Sequence, residues 1–153
     1  MSESFRDALA DRVLLADGAM GTEIYRRGVF INRCYDELNL SRPDLIEEIH
    51  RDYMGAGADL VTTNTYGATR IRLARHGLED RMEDVVRGGV RLARAAAGED
   101  GFVGGSMGPL PTLIRPAGPL SGAAARAAYR EQAELMLDEG VDVVILETFR
   151  QLA

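Results

Sequence analysis

The chain has 153 residues, a formal net charge of −6 and an apolar fraction of 46%, which suffices for one globular domain with a sizeable core. The acidic balance argues against nucleic acid or an anionic membrane as a partner, because both require a basic face. No apolar run approaches the ~20 residues of a membrane span. The N-terminus carries no secretory signal pattern, so a cytoplasmic location is expected.

Four short apolar runs predict strands, at residues 13–16, 58–63, 102–106 and 141–146. Each run is nearly continuous rather than alternating, which is typical of strands buried on both faces of a parallel sheet. Three helical patterns lie between them, at residues 43–54, 78–97 and 123–139, the first with Ser41 as its expected N-cap. The order βαβαβαβ predicts a parallel sheet with right-handed crossovers.

A polar side chain ends each predicted strand. The four are Asp17, Thr63, Ser106 and Glu147. Polar groups repeated at the carboxyl ends of parallel strands are typical of a (β/α) barrel, whose active site is built there. A doubly wound open sheet is the alternative, but the segment DGAMGT lacks the G-x-G-x-x-G spacing of a dinucleotide-binding loop.

Asp17, Gly18 and Glu147 are the candidate ligand-binding residues at the first and fourth strand ends. Gly18 allows close approach of the backbone to a ligand, although an isolated Asp-Gly pair is more often a simple turn. Glu147 follows an apolar run, and a half-buried carboxylate is costly unless a cation or a donor meets it. That partner is either a ligand ammonium or a local arginine such as Arg150, and the residues alone favour neither.

Neutral polar groups at residues 62–65, including Thr63, suit a small polar ligand, so the strand ends together are able to hold a zwitterion. Metal binding is not expected. Neither His50 nor His76 has a second ligand three or four residues away, and the one cysteine, Cys34, is predicted to pack or to lie on the surface.

Several segments resemble the homocysteine-binding domain of the homocysteine S-methyltransferase family. They are VLLADGAMGTEIYRRG, NRCYDELNLSRPDLIEEIHRDYMGAGADLVTTNTYGATRIRLARHGLEDR, GGSMGPL and VDVVILETF, in this order, and they cover the chain from about Arg12 onwards. The chain is most similar to the methionine synthase type. The segment FINRCYDELNL further resembles fusions of homocysteine S-methyltransferase with methylenetetrahydrofolate reductase.

The resemblance implies an α/β fold of the (β/α)8 TIM-barrel type, with the first four strands and three helices in this chain. Residues 1–11 would be an N-terminal extension and residues 12–153 the N-terminal half of the barrel. The implied activity is methyl transfer to the sulfur of homocysteine, giving methionine. Asp17 and Gly18 would then contact the amino-acid group, Thr63 would line the pocket, and Glu147 would accept the ammonium.

In this family a zinc ion held by three cysteines binds the substrate thiol and lowers its pKa. These cysteines belong to the second half of the barrel, and Cys34 matches none of them, so the zinc ligands are expected outside this chain. Across the family the methyl donor is methyltetrahydrofolate, methylcobalamin or a methylated sulfonium or ammonium compound. The resemblance to methionine synthases favours a folate-derived methyl group, with 5-methyltetrahydrofolate or methylcobalamin as the donor.

Two alternatives are a truncated, non-catalytic half-barrel with weak amino-acid binding and an unrelated barrel enzyme. A Schiff-base aldolase is excluded because the sequence contains no lysine. Four strands cannot close a barrel, so exposed edges and apolar inner residues are expected. The predicted partner is therefore the missing barrel half or a second copy joined at these edges.

Overall fold

A computed structural model describes residues 3–30 and 33–150; the predicted boundaries that fall on residues 1–2 and 151–153 lie outside the described residues. Within these ranges the fold is α/β, with a three-stranded parallel sheet. The strands are β1 (Leu60–Thr62), β2 (Phe102–Met107) and β3 (Val143–Leu146). The helices are α1 (Phe5–Asp11), α2 (Met20–Arg26), α3 (Leu38–Ser41), α4 (Pro43–Gly55), α5 (Arg70–Leu73), α6 (Met82–Ala97) and α7 (Gly122–Asp138).

The sheet has the order β1-β2-β3, and β2 is its central strand, with all six residues buried. Val61 pairs with Val103, and Gly105 pairs with Val144, both in parallel register. Helix α6 connects β1 to β2, and α7 connects β2 to β3. The predicted alternation of parallel strands and helices is therefore confirmed for this part of the chain.

The prediction of a strand at residues 13–16 is wrong. Only Ala16 pairs, through an isolated parallel bridge to Leu60, while Val13 is 94% exposed and Leu15 is 57% exposed. The Leu15 N–H donates to the Asp59 side chain at 2.8 Å rather than to a strand carbonyl, so the pairing with β1 stops at this one bridge. The described sheet therefore has three strands rather than four.

The three predicted helices are present as α4, α6 and α7, with corrections at their starts. Helix α6 begins at Met82 because a 3-10 turn, Glu79–Arg81, precedes it. Ser41 does not cap α4: it ends α3 and donates a hydrogen bond to Glu37, whereas Arg42 is the N-cap residue. The other four helices have only four to seven residues, too few for a periodic apolar pattern.

Two glycines of β2 allow its neighbours to pack closely. A Cβ atom at Gly104 would lie 2.5 Å from Ile145 Cδ1, and one at Gly105 would lie 2.8 Å from Met136 Sδ. Ile145 belongs to β3, and Met136 is a fully buried residue of α7. The missing side chains thus let β3 and α7 close onto β2, which draws the strand ends together.

Helix α1, within the predicted extension 1–11, packs at the amino-terminal end of the sheet. The Phe5 ring meets Phe102 edge-on at 5.4 Å between centroids, and Ala8 is fully buried in a cluster with Leu60 and Phe102. These apolar inner residues were expected to be exposed, but Leu60 and Phe102 are each only 6% exposed. None of the helices in the described ranges is long and apolar enough to cross a membrane.

Strand β3 forms an exposed edge. Its described pairing is with β2 alone, its first three residues are only partly buried, and Leu146 is 67% exposed. A strand edge with free backbone groups and apolar side chains is a surface for pairing with another chain segment. The edge expected from the sequence is therefore present on this side of the sheet.

His50, on α4, is fully buried, and neither ring nitrogen has a hydrogen-bond partner among the described residues. Burial disfavours the charged imidazolium and lowers the pKa of His50 to about 4 from an ordinary value of 6.5. The unfolded chain therefore binds a proton near pH 5 that the folded chain excludes, so folding stability falls as the pH drops from 6.5 towards 4.

Replacing His50 with leucine should remove this part of the acid sensitivity. Between pH 7 and pH 4 the free energy of unfolding of the parent should fall by up to about 3 kcal/mol more than that of His50→Leu. Urea unfolding at a series of pH values measures the difference. Equal losses in the two proteins would contradict the burial of a neutral imidazole.

Candidate amino-acid-binding site

The carboxyl ends of the strands open into a cavity of about 480 Å3. Three of the four predicted site residues line it, namely Gly18, Thr63 and Glu147. Asp17, the fourth, directly precedes Gly18, and its carboxylate is hydrogen-bonded to Thr62 at the end of β1. The remaining lining residues are Ala19, Met20, Gly21, Arg33, Cys34, Tyr35, Asp36, Thr62, Asn64, Tyr66, Arg72, His76 and Ser106.

The Asp17 carboxylate accepts a hydrogen bond from the Thr62 backbone N–H at 2.8 Å and one from the Thr62 hydroxyl at 3.0 Å. Burial raises the pKa of Asp17 to about 6; the hydrogen bonds from Thr62 oppose this shift, and the negative charge of Glu147 adds to it. Asp17 and Glu147 therefore repel each other electrostatically, and a cation between them would relieve that repulsion.

The close contact with Tyr53 on α4 requires a residue without a side chain at position 18. A Cβ atom at position 18 would lie 2.9 Å from the Tyr53 hydroxyl oxygen and 3.1 Å from the ring. The same hydroxyl donates to the Ala19 carbonyl at 3.4 Å. The glycine therefore lets the backbone from Gly18 to Gly21 run along the cavity wall beside the tyrosine.

Glu147 lies directly after β3 and is half-buried. Its Oε1 atom accepts a hydrogen bond from the Ser106 hydroxyl, and its backbone N–H donates to the Met107 carbonyl at 3.1 Å. Arg150, the local alternative partner, lines a different cavity. Among the described residues, Glu147 forms no salt bridge.

Thr148 follows Glu147 with φ = 62°, in the left-handed region of backbone space. A β-branched residue rarely adopts this conformation, which costs on the order of 1–3 kcal/mol unless the surroundings enforce it. The chain therefore turns sharply, at a cost in stability, directly after the carboxylate that faces the cavity.

Thr63 is only 3% exposed, and its hydroxyl is bonded to the protein. The hydroxyl accepts a hydrogen bond from the Ser106 backbone N–H at 3.0 Å and lies 2.6 Å from the Thr65 hydroxyl oxygen. Thr63 thus lies at the cavity, but its hydroxyl is engaged in hydrogen bonds to Ser106 and Thr65.

The loop between α2 and α3 contributes residues that the sequence did not single out as ligand-binding. Cys34 was predicted to pack or to lie on the surface; it is half-buried in the cavity wall, with its thiol 3.8 Å from an Asp36 carboxylate oxygen. Asp36 in turn accepts from the Gly67 backbone N–H at 2.7 Å. Burial raises the pKa values of both Cys34 and Asp36, so the thiol is not activated as a nucleophile.

No metal-binding group is found in residues 3–30 and 33–150, where no three histidine, cysteine, aspartate or glutamate side chains converge as metal ligands would. The described residues therefore do not fit the zinc ion that the family resemblance implies. What they offer is a polar cavity with acidic residues on its wall.

The family model for homocysteine S-methyltransferase matches residues 14–153. The chain therefore belongs to the homocysteine S-methyltransferase family, as the sequence motifs indicated. It is similar to the methionine synthases of Mycobacterium tuberculosis and Mycobacterium leprae, each 40% identical over 161 aligned positions that cover 95% of this chain and 13% of the relative.

Solved structures of the homocysteine methyltransferase MmuM from Escherichia coli have a similar fold. The metallated form matches with a TM-score of 0.78 and 32% identity, over 92% of this chain and 56% of that one. The oxidized form matches with a TM-score of 0.73 and 29% identity, over 91% and 54%. The chain thus spans about half the length of the MmuM structures and a small part of the methionine synthases.

Replacing Glu147 with glutamine should lower the pKa of Asp17, because the substitution removes the like charge that disfavours ionisation of Asp17. Carboxyl 13C NMR during a pH titration measures the change, with Glu134→Gln on the exposed face of α7 as the matched control. An Asp17 pKa that is the same in both variants would show that the two carboxylates do not interact.

Asp17 itself should make folding stability decrease as the pH rises. Its pKa is raised in the folded chain, so its favourable contribution is complete below about 3.8 and is lost as the pH passes through about 6. Asp17→Asn should abolish this fall while keeping an oxygen that accepts from Thr62. Thermal unfolding between pH 4 and pH 8 tests the expectation, which fails if the two proteins show the same pH dependence.

Replacing Thr148 with asparagine should raise the free energy of unfolding by about 1 kcal/mol, because asparagine tolerates the left-handed conformation better than a β-branched residue. Thr148→Val is the matched control, since valine keeps the branch and should bring no gain. Chemical denaturation measures both variants. Equal stabilities of the asparagine and valine variants would argue against strain at this position.

Proposed function

We propose that this chain forms the amino-acid-binding part of a homocysteine S-methyltransferase, which transfers a methyl group to homocysteine sulfur and yields methionine. The observation that carries the proposal is the pair of carboxylates at the carboxyl ends of the strands: Glu147 lines the cavity, and Asp17 lies beside it, next to Gly18 and bonded to Thr62. Neither forms an ion pair among the described residues, and their charges repel each other. An α-ammonium group between them would satisfy both.

The size and the remaining charges of the cavity support an amino acid as the ligand. A volume of about 480 Å3 accommodates a small zwitterion with its hydration water. Arg33 and Arg72 line the same cavity and supply positive charge for a ligand carboxylate. Gly18 lets the backbone approach that carboxylate closely, so Asp17, Gly18, Thr63 and Glu147 are the proposed substrate-binding residues.

The part of these residues in the reaction is binding and orientation. The homocysteine sulfur attacks the methyl group, the new sulfur–methyl bond forms as the donor's bond breaks, and the thiol proton is released. A zinc ion, which the family resemblance implies, would lower the pKa of the substrate thiol in the complete enzyme, but the described residues provide no ligand set for it. The methyl donor we propose is 5-methyltetrahydrofolate or methylcobalamin, and the location is cytoplasmic.

A closed (β/α)8 barrel is the proposed architecture of the complete enzyme, with β1 to β3 near its start. The exposed edge of β3 supports this proposal, since Leu146 is 67% exposed. A second cavity of about 1190 Å3 runs along α7 and β3, lined by residues such as Ala133, Val144 and Phe149. We propose that the second barrel half covers this surface. Without it, the chain would be a non-catalytic half-barrel that binds amino acids weakly.

Calorimetric titration of the 153-residue chain with L-homocysteine tests the binding function. The parent should bind, and Glu147→Gln should bind at least tenfold more weakly, a loss of about 1.4 kcal/mol. Glu134→Gln, which removes an exposed carboxylate from α7, should bind like the parent. Adding zinc should not change the affinity, because the described residues provide no ligand set for it.

Two results would overturn the proposal. Equal affinity of the parent and Glu147→Gln would show that this carboxylate does not hold the ligand. A parent that circular dichroism shows to be folded but that binds no homocysteine would show that the cavity is not an amino-acid site.

A further inference from the structure

Ser106 is a buried residue whose hydroxyl is hydrogen-bonded to the Glu147 carboxylate at the cavity. It lies on β2, is 2% exposed, and donates its only hydroxyl hydrogen to Oε1 of Glu147. A hydrogen bond from a neutral donor to an ionised carboxylate is stronger than one between neutral groups. Ser106 is thus the described side chain that restrains the Glu147 carboxylate.

Both backbone polar groups of Ser106 are held by threonine hydroxyls. Its N–H donates to Thr63 Oγ1 at 3.0 Å, and its carbonyl accepts from Thr65 Oγ1 at 2.9 Å. Thr65 has one hydroxyl hydrogen, and that hydrogen is used on the carbonyl, so Thr63 must be the donor across the 2.6 Å between the two hydroxyls. Three hydrogen bonds therefore form a closed ring around Ser106.

A further hydrogen bond joins this ring to helix α7, which packs against the sheet. Gln132, a fully buried residue of α7, donates from Nε2 to the Thr65 carbonyl at 2.7 Å. Thr65 is itself 0% exposed. Because every member is buried, a lost hydrogen bond here cannot be replaced by water at no cost.

The restraint on Glu147 opposes an electrostatic force. Burial is the main cause of the raised pKa of Asp17, and the negative charge of Glu147 adds to it, so the two carboxylates repel each other. Without a restraint, the Glu147 carboxylate would turn away from Asp17 towards solvent. The bond to Ser106 engages Oε1, and no hydrogen bond to Oε2 is found among the described residues, so one oxygen of this cavity-lining carboxylate is held while the other is available to a ligand.

We propose that Ser106 is a positioning residue, held by the Thr63 and Thr65 hydroxyls, that fixes Glu147 for ligands bearing an α-ammonium group. Ser106 therefore determines the selectivity of the cavity for amino acids over the corresponding acids without an amino group. This inference rests on the proposed function, since it takes the ammonium of homocysteine as the group that Glu147 receives.

The test compares two ligands in calorimetric titrations of the full chain. L-Homocysteine carries the ammonium, and 4-mercaptobutanoate differs from it only in lacking that group. Ser106→Ala should weaken homocysteine binding about tenfold and change 4-mercaptobutanoate binding less than twofold. Ser41→Ala is the matched control, because it removes a serine that donates to a glutamate, Glu37, at 2.9 Å on the surface.

The threonine ring supplies a second pair of variants. Thr65→Val should behave like Ser106→Ala, because it removes the hydroxyl that holds the Ser106 carbonyl. Thr65→Ser should restore the parent preference, because serine keeps that hydroxyl. If Ser106 had only a structural role, Ser106→Ala would weaken the binding of both ligands to the same extent. That result would overturn the inference.

A measurement without ligand separates this inference from the proposed function. If Ser106 holds Glu147 near Asp17, Ser106→Ala should lower the pKa of Asp17 as followed by carboxyl 13C NMR. An unchanged Asp17 pKa would overturn the positioning role even if homocysteine binds. A parent that binds both ligands equally would instead overturn the ammonium-binding function, and the selectivity role of Ser106 with it.

Discussion

Parallel pairing of β2 with β1 on one side and β3 on the other is the constraint on which the site depends. It brings the carboxyl ends of the strands to the same edge, where Thr62, Ser106 and Glu147 meet around one cavity. The pairing requires a central strand that is buried on both faces. Gly104 and Gly105 make the close fit possible, because they leave room for Ile145 on one face and Met136 on the other.

The cavity concentrates negative charge in a half-buried place. Asp17 is held by Thr62, and Glu147 is held by Ser106, so both carboxylates are fixed by neutral donors rather than by arginines. Several acids elsewhere in the chain pair with arginines, as Glu139 does with Arg87 and Arg91. Half-buried carboxylates without a cationic partner are typical of functional sites, whereas acids that pair with arginines at the surface are typical of a solvated face.

The sequence predicted the elements whose patterns are long or continuous. Helices α4, α6 and α7 and strands β2 and β3 were located within a few residues, because their apolar residues repeat or run without a break. The candidate residues Gly18, Thr63 and Glu147 were predicted from the ends of strands, and in the structure they lie around one cavity. A polar residue directly after a buried parallel strand has few other places to lie.

Features that depend on distant contacts could not be predicted in this way. Residues 13–16 have a strand-like pattern, but they pair with β1 through one bridge only, because the Asp59 side chain takes the Leu15 N–H, a contact that a sequence pattern does not reveal. Cys34 and Asp36 reach the cavity through an irregular loop, and their position is fixed by contacts such as that with Gly67. The hydroxyl ring around Ser106 depends on atomic distances, which no residue spacing specifies.

Helix α1 closes the end of the sheet that is opposite the cavity. Phe5 and Ala8 fill the space beside Leu60 and Phe102 there. The apolar residues at the start of β1 and β2 are therefore shielded by the first helix of the same chain. A shortened chain without α1 would expose Leu60 and Phe102 to solvent while keeping every residue that lines the cavity.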